Sequence, residues 1–397
     1  MNTSYDFDKI TDRRNSDSVK WDVGENELPM WIADMDFPTA PSIIEAIKTR
    51  ADHGIYGYSE VPSEWYDCYI NWWKSRHDFE IKKDWLVYCT GVIPALSSTV
   101  RKLSTPAEKV LIQSPVYNMF YNSTLNNGRV IIDSPLLYNK ETGEFNIDFE
   151  DLEKKLSDPQ TTLMIVCNPH NPVGRIWTKD ELAKIGELCY KHHVTVISDE
   201  IHCDITRPRK KYVPFASASD ICRDISVTCI APTKCFSIPG IQTSAIVIPN
   251  EGLRNRVVRA INTDEVAEPN TFSVCTAVAA FNEGGQWLDD LMAYIDANRH
   301  YCEDYVEKNI PDIKLIKADA TYLLWVDCSD VTDNSAELQK FIREKTGLYV
   351  SSGTVYGGTG KYFLRINIAC PRSLVEDGMA RLKAGIEQYK QNIRINQ

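Results

Sequence analysis

Three apolar runs, residues 162–167, 194–198 and 225–230, are hydrophobic without alternation, and they constrain the fold more than any other feature of the chain. A strand with one wet face alternates apolar and polar residues. An unbroken run belongs to a strand covered on both faces. Helical patterns separate these runs. One opens at Thr178-Lys-Asp-Glu181, a capping box, buries Leu182, Ile185 and Cys189, and ends at Lys191-His192-His193. Those histidines suit a helix C-terminus better than a metal. Other strand signals fall at 85–89, 110–113, 130–132 and 245–248. Helical spacing covers 42–53, 64–77 and a stretch that opens near Pro94. Repeated β–α–β units predict an α/β fold, a mainly parallel sheet with helices on both faces. From about residue 287 the pattern changes to a long helix, strands within 313–317, 321–327 and 361–369, and helices over 336–346 and 374–388, which predicts a smaller α+β domain.

The chain has 397 residues and a net charge of -11, which argues against a nucleic-acid partner and an anionic membrane surface. No apolar stretch is long enough to span a bilayer, and the polar N-terminus lacks an apolar signal region, so no secretion is expected. Twelve cysteines are scattered without a C-x-x-C pair, and no histidine pair has zinc spacing. A reduced, cytoplasmic protein without metal or membrane is expected.

In open parallel sheets, ligands bind where strands end. Asn171 follows one buried strand, Asp199 ends the next, and Lys234 follows a third. Lys234 is the sole charge between Asp224 and Glu251, and a desolvated lysine has a lowered pKa suited to imine formation or base catalysis. A buried aspartate keeps a pyridine nitrogen protonated, and an asparagine donates to a phenolic oxygen. Taken singly, the three read as a turn residue, a helix cap and a surface charge; together they match what pyridoxal 5'-phosphate (PLP) requires. Thr90-Gly91 lies between a strand and a helix, a geometry that holds phosphate on exposed N–H groups. The GGTGK at 357–361 is no P-loop, since Val355 stands where glycine is needed and Tyr362 where serine or threonine is needed. It reads as a flexible turn.

Around these residues the sequence resembles the fold-type I PLP enzymes of the aspartate aminotransferase superfamily. It is most similar to the MalY/PatB-type cystathionine β-lyases, or C–S lyases. The matching pieces are DRRNSDSVKWD, PMWIADMDFP, HGIYGY, SPVYNMF, CNPHNPVGRIW, SDEIHCD, APTKCF and FLRINIACPRS. The resemblance implies a seven-stranded, mainly parallel sheet in a large PLP-binding domain over 46–286. The small domain would comprise 287–397 with the N-terminal segment 1–45. Lys234 would hold PLP as an imine and then move the Cα proton. Asp199 would pair with the ring nitrogen, Asn171 with the ring hydroxyl, and Tyr117 would stack on the ring. Gly91, Val92, Ile93 and Thr233 would bind the phosphate. Tyr58, with Tyr56 as its alternative, would reach the phosphate of a neighbouring subunit in a homodimer with shared sites. Arg365 would clamp the substrate carboxylate, with Asn171, Ile32 and Ala33 on the substrate side. Gln242 stands where many superfamily members have a phosphate-binding arginine, as in the C–S lyase branch.

The activity so implied is α,β-elimination of L-cystathionine, L-cystine or cysteine S-conjugates to pyruvate, ammonia and a thiol or its equivalent. An aminotransferase shares the early steps and is the nearest rival. A regulatory protein that keeps the fold is a more distant one, because no DNA-binding region is expected in the short stretch before PMWIADMDFP and Lys234 is intact.

Overall fold

The computed structural model describes residues 5–396. Residues 1–4 and 397, at the outer ends of the expected terminal segments, lie outside the described residues. Seven strands build the main sheet: β1 (Leu86–Cys89), β2 (Lys109–Ile112), β3 (Val130–Asp133), β4 (Thr161–Cys167), β5 (Thr195–Asp199), β6 (Ser226–Ile230) and β7 (Ser244–Val247). Their order is β1-β7-β6-β5-β4-β2-β3. From β6 to β3 every pairing is parallel, while β7 runs antiparallel to both neighbours. The link from β6 to β7 carries only a 3-10 turn, Pro239–Ile241. Without a crossover helix the chain returns antiparallel.

The continuous apolar runs have the cause their sequence implied. Leu163, Ile165 and Cys167 of β4 face one core together with Val92, Leu96 and Val100 from helix Val92–Leu103. Met164 and Val166 face another, with Leu182, Ile185 and Leu188 from helix Lys179–Lys191. Each such side chain, fully buried, contributes roughly 1.5–3 kcal/mol. The capping box at Thr178 and Glu181 is formed. Glu181 also pairs with Arg175 at 2.6 Å, tying the helix start to the loop after β4. That loop needs Gly174: its φ is +77°, and a Cβ there would sit 2.8 Å from the Ala320 carbonyl oxygen. The helix expected near Pro94 starts two residues earlier, at Val92, because proline in the first turn lacks only an N–H that would be unpaired anyway.

A second sheet holds β8 (Lys314–Leu315), β9 (Leu323–Asp327), β10 (Ser351–Ser352) and β11 (Phe363–Asn367) in the order β8-β9-β11-β10, all antiparallel. Arg365 sits mid-sheet, opposite Trp325 on one side and Ser351 on the other. The N-terminal segment is stitched to this half of the chain. Leu28–Pro29 pairs in parallel with Leu348–Tyr349, and the Asn367 N–H donates to the Met30 carbonyl at 2.9 Å.

The expected flexible turn at 357–361 is instead close-packed. It follows one 3-10 turn, Gly353–Tyr356, and lies largely in a second, Gly358–Tyr362, and Gly360 is buried against Gly353. A Cβ on Gly353 would lie 2.5 Å from the Phe363 carbonyl oxygen, so these glycines serve close backbone approach. All twelve cysteines are free thiols, and all but Cys275 are buried. Among the described residues no helix is long and apolar enough to cross a membrane.

Candidate active site

Parallel register lines up the carboxyl ends of the central strands. Cys167 pairs with Asp199, and Asp199 with Cys229. The chain that leaves each strand therefore emerges at one edge, which brings Asn171, Asp199 and Lys234 around a single cavity of about 290 Å³. The same wall carries Gly91, Val92 and Ile93, then Tyr117 and Thr233, with Ala33 facing them. Helix Val92–Leu103 points its N-terminus into this space, and no side chain caps it. Its first-turn N–H groups and positive dipole end are suited to an anion.

A second cavity of about 560 Å³ shares Ala33, Tyr117 and Lys234 with the first and adds Ile32 and Arg365. Arg365 is buried. It donates through Nη1 to Asn171 Oδ1 at 3.3 Å and through Nη2 to the Trp31 carbonyl at 3.0 Å, and its guanidinium lies 4.8 Å from the Tyr356 ring centre. The strand alternation explains its direction: Leu364 and Ile366 enter the hydrophobic core, and Arg365 faces the other way. Its Nε has no partner among the described residues.

Electrostatics distinguish these groups. The Lys234 side chain is partly open to the cavities, but its amine is desolvated, which lowers its pKa to about 8. Nζ donates to the Ala33 carbonyl at 2.7 Å. Burial pushes the Asp199 carboxyl up to about 6, although the Ile201 N–H donates to it at 3.1 Å. At neutral pH the cavity thus holds a carboxylate that burial leaves poorly solvated, a partner for a cationic ring nitrogen. Burial also raises the Tyr117 phenol, which stays neutral.

Tyr58 belongs to neither cavity and is fully exposed. Tyr56, its alternative, donates to the Ala51 carbonyl at 2.7 Å and packs on Phe272. Several lining residues escaped the sequence reading. His202 sits beside Lys234, buried, with its pKa lowered to about 3 by burial and by the cations Lys234 and Arg365; its Nδ1 has no partner among the described residues. The signal was present, since a residue three past Asp199 on the same turn can face the same space. Tyr356 and Trp31 had none, because only the fold brings them to Arg365. Behind the site, His77 lies 2.9 Å from Asp204 Oδ1, which also accepts from the Trp72 indole at 2.9 Å.

The donor set fits a flat group with a phosphate at one end and a basic ring nitrogen at the other. It offers an uncapped helix N-terminus with a neighbouring threonine, a buried carboxylate, an asparagine and a lysine amine.

Residues 24–382 match the family of class I and II aminotransferases. The cystathionine β-lyase PatB of Bacillus subtilis is 43% identical over 386 residues, covering 96% of this chain and 99% of that protein. Protein MalY of Escherichia coli is 33% identical, covering 95% and 98%. The PLP-containing crystal structure of cystalysin from Treponema denticola superposes with a TM-score of 0.93 at 33% identity, covering 97% of this chain and 99% of that one. With this sheet, these strand-end groups and matches that run almost end to end, the chain belongs to the class I and II aminotransferase family, in the group that holds PatB and MalY.

Proposed function

We propose that the protein is a PLP-dependent carbon–sulfur β-lyase. A cysteine thioether and water give a thiol, pyruvate and ammonia. The observation that carries this is the convergence of Lys234, Asp199 and Asn171 on one cavity, with Arg365 facing them from the other sheet. The relatives named cystathionine β-lyase and cystalysin support the reaction type. PLP, when bound, supplies an electron sink for the charge left at the substrate Cα.

The chain's own residues do the rest. The N–H groups of the helix start at Val92, with Gly91, Ile93 and Thr233, would hold the phosphate. Asp199 would pair with the ring nitrogen and Asn171 with the ring hydroxyl, and Tyr117 would cover the ring. Arg365 holds the substrate carboxylate in a two-point contact, beside Asn171, Ile32 and Ala33. Lys234 would hold the cofactor, and the lowered pKa of its amine would let it take the Cα proton near neutral pH.

A homodimer with shared sites belongs to the same proposal. Its support is Tyr58, which projects fully exposed and is free to serve a neighbour's phosphate. Twelve free cysteines support a cytoplasmic setting. The division into 1–45, 46–286 and 287–397 is supported by the pairing of Leu28–Pro29 with Leu348–Tyr349, which joins both ends of the chain.

The matched family gives one specific ground for a second reading, an aminotransferase. Incubating holoenzyme with L-cystathionine and no keto acid separates them. Pyruvate formed over many turnovers is the expected result. Amino transfer that needs an added keto acid, with no pyruvate in its absence, overturns the lyase.

A further inference from the structure

Residues 31–36, WIADMD, reach both catalytic cations through their backbone. The Ala33 carbonyl accepts from Lys234 Nζ at 2.7 Å. The Trp31 carbonyl accepts from Arg365 Nη2 at 3.0 Å and from Ser351 Oγ at 2.7 Å. Asn367 Nδ2 holds the carbonyls of Ile32 and Asp34 at 2.8 and 2.7 Å.

The segment is clamped from its other side by the charged N-terminal stretch, whose composition nothing in the proposed reaction explains. Arg13 donates to Asp34 Oδ2 at 2.6 Å and to Asp36 Oδ1 and the Met35 carbonyl, each at 2.8 Å. Lys20, fully buried, donates to Asp36 Oδ2 at 2.7 Å and to the Asp34 carbonyl at 2.8 Å. The Trp21 indole adds a third donor to Asp36 at 2.8 Å. A buried lysine and aspartate persist only when both are fully partnered, so this clamp has one geometry.

We infer that residues 31–36 form a positioning strap for the reaction, in which backbone carbonyls seat Lys234 and Arg365 and the Asp34 carboxylate, held by Arg13, is the counter-charge that governs Lys234. Asp34 lines the cavity that Lys234 and Arg365 share. After burial, Asp34 has the largest influence on the Lys234 amine and favours its charged form; Arg365 opposes it and Asp199 assists. Outside the clamp of Arg13, Lys20 and Asp36, the remaining titratable neighbours carry no charge at neutral pH. Burial keeps the His202 imidazole neutral, and it raises the Tyr117 and Tyr322 phenols. Asp34 and Arg13 are thus positioning residues that act through Lys234, an inference that rests on the proposed function.

The test is a pH titration of the visible absorbance of purified holoenzyme, which reads the protonation of the Lys234–cofactor linkage. Asp34→Asn keeps the shape and removes the negative charge, so the midpoint should fall by about half a unit or more. Arg13→Gln removes the cation that offsets Asp34, so the midpoint should rise. Opposite shifts are a signature that simple loosening of the segment does not produce. If Arg13→Gln does not fold, Arg13→Lys, which restores the charge, should return the wild-type midpoint, and Asp34→Asn then decides. Midpoints within about 0.1 unit of wild type in Asp34→Asn, with cofactor retained, overturn the strap. A wild-type protein with no cofactor band at all would instead overturn the proposed function.

Discussion

The two walls of the site are made in different ways. The wall that would face the cofactor comes from one sheet. Asn171, Asp199 and Lys234 leave neighbouring strands whose register is fixed by parallel pairing and by two hydrophobic cores. The wall that would face the substrate is assembled from the ends of the chain. Trp31 meets Arg365 and Ser351 across more than three hundred residues. The first wall inherits its geometry from strand packing. The second depends on hydrogen bonds to backbone carbonyls and on a buried ion pair at Lys20 and Asp36. Changes in the first wall should therefore strike the chemistry, and changes at Arg365 in the second should strike substrate recognition, with the strap at 31–36 the one part of the second wall that reaches Lys234.

The strongest test of that contrast is Lys234→Ala. It should remove the cofactor linkage that borohydride traps and lower turnover by at least about a thousandfold. A reducible linkage that survives would place the lysine elsewhere.

Asp199 gives the next effect, read as stability. Its folded pKa is raised, so the fold favours the protonated carboxyl. That contribution is full below the ordinary carboxylate value of about 4 and is lost as pH rises through about 6. In cofactor-free protein, the stability difference between Asp199→Asn and wild type should change by up to about 3 kcal/mol between those limits. Denaturant melts at several pH values measure it. A difference that stays flat would mean that the carboxyl is well solvated.

Arg365→Lys probes the second wall. Losing a two-point charged contact is worth roughly 1.5–3 kcal/mol. The KM for cystathionine should rise about tenfold to a hundredfold while PLP stays bound. Loss of PLP instead would mean that the two walls do not divide the work.

The smallest effect is expected at Tyr58, which belongs to neither wall of its own chain. Tyr58→Phe should weaken PLP retention about fivefold, the value of one hydrogen bond. Light scattering should show a dimer in both forms. An active monomer would remove the shared site.

The first wall was also the more legible in sequence, for the same reason. Strands buried on both faces announce themselves as unbroken apolar runs, and a polar residue just past such a run is visible without a structure. Direction is not encoded in this way. Residues 244–247 are as apolar as their neighbours, and only the short link before them decides that they run antiparallel. His202 went unread because its one signal, a place three residues past Asp199, is weak for a lone histidine with no partner histidine to set a spacing. Tyr356 and Trp31 are ordinary aromatics until the fold stacks one under Arg365 and turns the carbonyl of the other toward it. The glycines at 357–361 were misjudged because glycine serves loose turns and tight backbone contacts alike; the buried Gly353–Gly360 approach belongs to the second kind.

A lyase of this kind lives in its own product. Every turnover releases a thiol, and disulfide substrates would release sulfur species that exchange with exposed cysteines. Ten of the twelve cysteines are buried away from the two cavities, and burial holds thiols such as Cys68 far above their usual pKa, at about 12. A protonated, inaccessible sulfur is a poor nucleophile. The interior is therefore chemically quiet toward the compounds the enzyme would make, and two thiols among the described residues are left within reach of them: Cys167, which lines the cavity and whose pKa burial raises, and Cys275, half-open on helix Ser273–Glu283.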